Sequence, residues 1–269
     1  MSEAVHPSAF VSPKAKLGKN VSVGQCAIIE DDVSIGDDCQ IHPFASIKQY
    51  TSMGKRNTIH SYALVGGIPQ DLKFAGEVSY LEIGDDNNIR EFSTLHRGTA
   101  LGGAITRVGN HNLIMAYAHV AHDCVLGNHV VMSNGATLAG HVEVHDHAII
   151  GGLSAIHQFT RIGRLAFVGG MTGIAQDLPP FMMAVGTRGG IHGPNLVGLR
   201  RLGLPPSTTQ AIRSAFRTIW LSDIARADAL DKVAKEYASI PEVLEIVDFV
   251  RDSQRGVMPA IRTPDVRES

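Results

Sequence analysis

The segment 114-IMAYAHVAHDCVLGNH-129 concentrates side chains that can move protons or hold a metal. His119, His122 and His129 fall within eleven residues, and Asp123 directly follows the second. Neutral imidazole is the natural general base near pH 7, and an adjacent carboxylate orients it and raises its basicity. The same residue types also bind zinc, and histidines on an exposed face are often plain surface decoration. What the surrounding chain does with them in space decides among these three readings.

That chain is periodic. An aliphatic residue or Met recurs every sixth position from Val5 to Val65, resumes at Ile83, Ile89 and Leu95, and runs again from Val108 to Ile174. Glycine often comes next, as at Gly18, Gly36 and Gly127, which is expected to serve positive φ in tight bends. Four places after the aliphatic residue stands a small one, such as Ala9, Ala27 or Cys39. A period of six is neither helical nor an alternating strand. It fits a solenoid of short strands, three hexapeptides to a coil and 18 residues per turn, each coil burying its aliphatic residues against the next. Cys39 and Cys124 occupy the small slot and read as packing residues, with Cys26 a bystander. Three cysteines at unrelated spacing make no disulfide framework or zinc motif.

On such a prism, residues 18 apart stack at about 4.8 Å. Asp123 then stacks on His141 and Phe159, and His122 on Gly140 and Gln158, with His157 beside Gln158 and His119 on the same coil as His122. Gly140 is expected to leave room for a ligand against the imidazole. His111, His129, His145 and His147 read as surface decoration.

The period breaks twice, giving loops at 66–82 and 96–107. Such insertions project from one face of a solenoid, often the binding face. After Ile174 the period ends. DLPPF and GTRGGIHGP read as a linker, followed by helices from a Ser207 cap to about Leu221, from about Asp228 to Ser239, and from Pro241 to about Arg255. The expected organisation is a β-helix over 1–190, an α-helical domain over 191–258 and a polar tail over 259–269. A net charge of −2 argues against a nucleic-acid footprint over the whole chain. The N-terminus lacks a signal-peptide pattern and no apolar run is long enough to cross a membrane, so a cytoplasmic, reduced protein without stable membrane insertion is expected.

Several segments are more specific than the period: QDLKFAGE (70–77), IREFSTLHRGT (89–99), AHVAHDCVLGN (118–128), ATLAGHV (136–142), AIIGGLSAIHQF (148–159) and GIAQDLPPF (173–181). In these the chain resembles the UDP-N-acetylglucosamine 3-O-acyltransferase family, from about residue 4 to 255. The resemblance implies a left-handed parallel β-helix followed by helices, assembled as a homotrimer with clefts between prisms. It implies transfer of an (R)-3-hydroxyacyl group from acyl carrier protein to the 3-hydroxyl of UDP-N-acetylglucosamine, the first step of lipid A biosynthesis, with no cofactor and no metal. By the same match His122 is the general base, Asp123 supports it, and the Gly140 amide is the oxyanion donor. Gln70, Asp71, Lys73, His119, His141, His157, Gln158, Asn195 and Arg201 fall on substrate-binding positions, and Gly170 on one that limits acyl length. The chain departs from the family at Leu202, after the Arg200–Arg201 pair, and at Thr187–Arg188. An acidic carrier implies basic docking residues, for which Arg161, Arg164, Arg213 and Arg217 are candidates. The competing reading is a zinc hydrase on the same prism, using the strip histidines as ligands.

Overall fold

The structure, a computed structural model, describes residues 5–261, so most of the expected tail lies outside the described residues. Most strands of the prism are only two residues long, such as Ser22–Val23 and Ile150's Ile149–Ile150, the second residue pointing inward. Among the described residues they stack into three sheets of nine, eight and ten strands, which form the three faces and are parallel except for the last strand of the ten. Pairing runs at 18 residues, as Ser34 with Ser52 and His119 with Thr137. The step lengthens to 30 across the first insertion and 25 across the second. The coils nevertheless stay in register, because both insertions loop outward. Strands Leu64–Gly67 and Tyr80–Ile83 bound the first loop, and Thr94–His96 and Ile105–Val108 the second, so both are shorter than the sequence implied.

The aliphatic positions form a continuous core. Ile29, Ile47, Val65, Leu95, Val120 and Ile150 are fully enclosed, while Val5, Val11 and Leu17 in the first coil described are only partly covered. The expected role of the glycines is corrected. The positive-φ residue of each bend is the third after the aliphatic one and is rarely glycine: Asn20, Asp38, Tyr62, Asp123 and His141 all have φ of 56–65°. The glycine directly after the aliphatic residue answers instead to crowding between coils. A Cβ on Gly36 would lie 2.5 Å from the carbonyl oxygen of Gly54.

A hairpin, Met182–Val185 with Gly190–Pro194, closes the ten-stranded sheet, so sheet structure continues past residue 190. Among the described residues four helices follow: α1 (Leu196–Arg201), α2 (Pro206–Phe216, continued by a π turn to Leu221), α3 (Arg226–Glu236) and α4 (Pro241–Arg251). The short α1 was not expected. Pro206, not a Ser207 cap, opens α2, since proline's fixed φ suits a first helical position. α4 is tied to the prism by two of the arginines read as docking residues. Arg161 donates to the Phe249 carbonyl (2.9 Å) and stacks on the Phe249 ring. Arg164 forms a two-pronged bond with Glu245 (2.7 and 3.1 Å). Both are thus committed within the chain, whereas Arg213 and Arg217 are exposed. Among the described residues no helix is long and apolar enough to cross a membrane.

Candidate active site

One edge of the prism, where the nine-stranded sheet gives way to the eight-stranded one, carries both loops and the histidine strip. The loop holding Gln70, Asp71 and Lys73 leaves Leu64–Gly67 and returns at Tyr80; the second leaves Thr94–His96 and returns at Ile105. His122 and Asp123 lie between His119–Val120 and Val125–Leu126, His141 one coil on, and His157, Gln158 and Phe159 one coil further. The stacking read from the sequence is present. The His141 N–H donates to the His122 carbonyl (3.0 Å), the Phe159 N–H to that of Gly140 (3.2 Å), and the His141 and Phe159 rings stack at 4.4 Å.

His122 Nδ1 lies 2.7 Å from Asp123 Oδ2. The carboxylate is only 1% exposed, which would be costly without partners. It has them: the Thr99 N–H donates to Oδ1 (2.8 Å) and the Thr99 hydroxyl to Oδ2 (2.7 Å). The Asp123 N–H in turn donates to Thr106 Oγ1 (2.7 Å). Gly102 must be small here, because a Cβ would fall 2.1 Å from the Asp123 carboxyl carbon. The second loop therefore grips the carboxylate, and Thr99, Gly102 and Thr106 are site residues that sequence reasoning missed. The only signal was their place in and beside an insertion.

The space beside Gly140 is filled differently from the expectation. A Cβ there would lie 2.5 Å from His122 Cε1 and 2.7 Å from Nε2. The imidazole itself, rather than a ligand, occupies the space that glycine leaves. His141 stands edge-on to His122 with centroids 5.2 Å apart, and its Nε2 is 3.7 Å from Asp123 Oδ2. Burial holds the His141 pKa below its ordinary value, against the opposing pull of Asp123 and of Asp71, whose field reaches it from the first loop. Gln70 and Lys73 are exposed on that loop, and the Lys73 N–H donates to Asp71 Oδ1 (3.0 Å). His119 Nδ1 pairs with Thr94 Oγ1 at 2.7 Å and is lowered by burial, then by His122. His96, edge-on to His119, is pushed down to about 4 by burial. The ligand atoms of His122, Asp123 and His141 all lie within 4.8 Å of one another, so a metal could also be held there.

The remaining site candidates lie elsewhere. Asn195 is buried and caps α1: its Oδ1 accepts from the Gly198 N–H (3.0 Å) and its Nδ2 donates to the Leu165 carbonyl (3.0 Å). Its side chain is thus occupied in holding the helix start. Asn195 and Arg201 line a groove with His129, His147 and Phe167, over the ten-stranded sheet and one prism edge away from His122. Gly170 sits at the third edge, where an added Cβ would meet only the Gly152 carbonyl oxygen, at an ordinary contact distance of 3.5 Å.

Comparison with known proteins bears on this arrangement. Residues 177–258 match the family described as UDP N-acetylglucosamine O-acyltransferase, domain 2, and residues 105–140 match the bacterial transferase hexapeptide repeat. The chain is 44% identical over 253 residues to an acyl-(acyl-carrier-protein)–UDP-N-acetylglucosamine O-acyltransferase of Thermodesulfovibrio yellowstonii, covering 94% of this chain and 98% of that one. It is 46% identical to the enzyme of the same name from Halorhodospira halophila, over the same shares. The solved structure of LpxA from Acinetobacter baumannii superposes with a TM-score of 0.93 at 38% identity, covering 95% of this chain and all of that one. The fold is therefore the left-handed parallel β-helix with C-terminal helices, and this chain belongs to the UDP-N-acetylglucosamine O-acyltransferase family of enzymes.

Proposed function

We propose that this protein transfers an (R)-3-hydroxyacyl group from acyl carrier protein to the 3-hydroxyl of UDP-N-acetylglucosamine, the first step of lipid A biosynthesis, with His122 as general base and no acyl-enzyme. The observation that carries this reading is the 2.7 Å contact between His122 Nδ1 and a buried carboxylate. A carboxylate can only accept, so Nδ1 keeps the proton and Nε2 keeps its lone pair. Nε2 takes the proton of the sugar hydroxyl as its oxygen attacks the thioester carbon. Collapse of the tetrahedral intermediate breaks the C–S bond, and the imidazolium returns the proton to the departing thiolate. The oxyanion needs an N–H donor. The Gly140 amide is assigned that part; among the described residues it donates to no protein acceptor.

Direct transfer is also favoured by the state of the nearest thiol. Burial pushes Cys124 up to about 12, and its Sγ donates to the Ala139 carbonyl (3.1 Å). A thiol held protonated is a poor nucleophile. His119, His141, His157, Gln158, Asp71 and Lys73 are assigned to substrate at the same edge. Asn195, Arg201 and Gly170 stand at other edges, which supports a homotrimer in which adjacent prisms complete each site.

The test is turnover of UDP-N-acetylglucosamine with a panel of hydroxyacyl carrier proteins. His122→Ala is expected to lower kcat by about 10²–10⁴ with little change in thermal stability. A variant keeping near-full activity removes the assigned base. The hydrase reading, favoured by the close His–Asp–His cluster, predicts stoichiometric zinc and loss of activity on chelation; acyl transfer that survives chelators excludes it.

A further inference from the structure

We propose that Arg255 sets the tautomer of His157, so that this imidazole meets the substrate as an N–H donor through Nε2; the substrate role of His157 rests on the function proposed above. Arg255 lies beyond α4, where the chain returns to the prism. The Asp177 N–H donates to the Gly256 carbonyl (2.9 Å), and the Met258 N–H to that of Asp177 (3.0 Å). The Ser253 hydroxyl donates to the buried Asp177 carboxylate (2.8 Å). This strap brings Arg255 to a coil 98 residues away. Its Nε donates to the Ala175 carbonyl at 2.7 Å, and its Nη2 lies 2.8 Å from His157 Nδ1. The His157 N–H donates to the carbonyl of Ile174, the residue before Ala175, so one guanidinium spans two stacked coils.

The chemistry at Nδ1 is a contest. A guanidinium has five N–H donors, no acceptor, and does not give up its proton. Against it, Nδ1 must accept, which leaves the ring proton on Nε2. The carbonyl oxygen of Gln158 also lies 3.1 Å from Nδ1. A carbonyl only accepts, so it favours the proton on Nδ1. Two neighbours thus ask for opposite tautomers of one ring. The guanidinium is nearer, and its bond is charge-assisted, which makes it the stronger partner. The outcome is an Nε2–H on the side of the ring away from Arg255, suited to a phosphate or carbonyl oxygen of the substrate. Remove the guanidinium and Gln158 captures the proton at Nδ1, leaving Nε2 an acceptor that repels such an oxygen. Arg255 is therefore a positioning residue, acting on substrate only through His157.

The tautomer can be read directly in full-length protein labelled with ¹⁵N-histidine, by long-range ¹H–¹⁵N correlation, with His157→Gln identifying the signal. Wild type is expected to carry the proton on Nε2 and Arg255→Ala on Nδ1. Arg255→Lys, which keeps a cationic donor, should retain the Nε2 proton. In turnover, Arg255→Ala should raise KM for the sugar nucleotide about tenfold and leave kcat within about threefold, as expected for loss of an indirect binding contact. A wild-type ring protonated on Nδ1, or an unchanged ring in Arg255→Ala, overturns the proposal. If Arg255→Ala does not fold, the wild-type and Arg255→Lys spectra still decide it. The spectra need no substrate, so failure here is separable from failure of the acyl-transfer reading.

Discussion

Asp123 serves His122 from a backbone conformation that most residues avoid. Its φ is 60°, and those of His141 and Phe159 in the same edge are 60° and 61°. Left-handed geometry costs an L-residue about 1–2 kcal/mol, least for residues such as Asp, Asn and His. The flanking strands hold each corner in it, and the carboxylate is then locked by Thr99 and by His122. The neighbouring constraint is Gly140, whose missing side chain admits the imidazole. Gly140→Ala should therefore displace His122 and lower kcat about a hundredfold, since misplacement by about an ångström can cost that much. Gly140 has no positive φ, so the loss should come without a large fall in stability. Parallel kinetics and urea denaturation would check this, and an alanine variant with normal kcat would show that the ring has room to spare.

A two-residue strand has almost no stability of its own. It persists because the coils before and after supply its hydrogen bonds and cover its aliphatic side chain. Where the insertions break the 18-residue step, the inner slot holds a buried asparagine ladder in place of alanine. Asn87 Nδ2 donates to Asn57 Oδ1 (3.0 Å) and to the Gly109 carbonyl (2.9 Å), and its Oδ1 accepts from the Asn112 N–H (2.9 Å). Asn87→Ala leaves these buried groups without partners, so it should destabilise the protein by about 2–4 kcal/mol. Equilibrium urea unfolding would measure this, and a loss below about 1 kcal/mol would mean the ladder is replaceable. The last elements were less legible. α1 is too short to show a helical period, and nothing in the sequence marks Asn195 as its cap.

In the whole molecule, the residues assigned to substrate are distributed over three edges of one prism, and no single chain gathers them. His122 and Arg201 lie on different edges. In the proposed trimer each site takes its base from one subunit and its arginine from the next. His122→Ala and Arg201→Ala should each be impaired alone. Subunits of the two, mixed and reassembled, should recover about a quarter of the sites, because in a closed ring half the subunits carry an intact base and half of their neighbours an intact arginine. Turnover of the mixture no higher than that of its components would place both residues in one chain's site.

The sequence by itself determined the prism. An inward aliphatic residue every sixth place leaves one way to bury so many short segments, and stacking at that period alone brings residues 122, 123, 140, 141, 157 and 158 to one edge. Both insertions were legible as breaks in the same rhythm. Only the tertiary structure decided what those loops and the C-terminal strap do. Thr99 and Gly102 reach Asp123 across 24 and 21 residues, and Arg255 reaches His157 across 98, through contacts that follow no repeat. A period fixes which residues share an edge, because backbone hydrogen bonding sets the coil spacing. It is silent on non-repeating segments, whose paths depend on packing against a surface that exists only once the coils have formed.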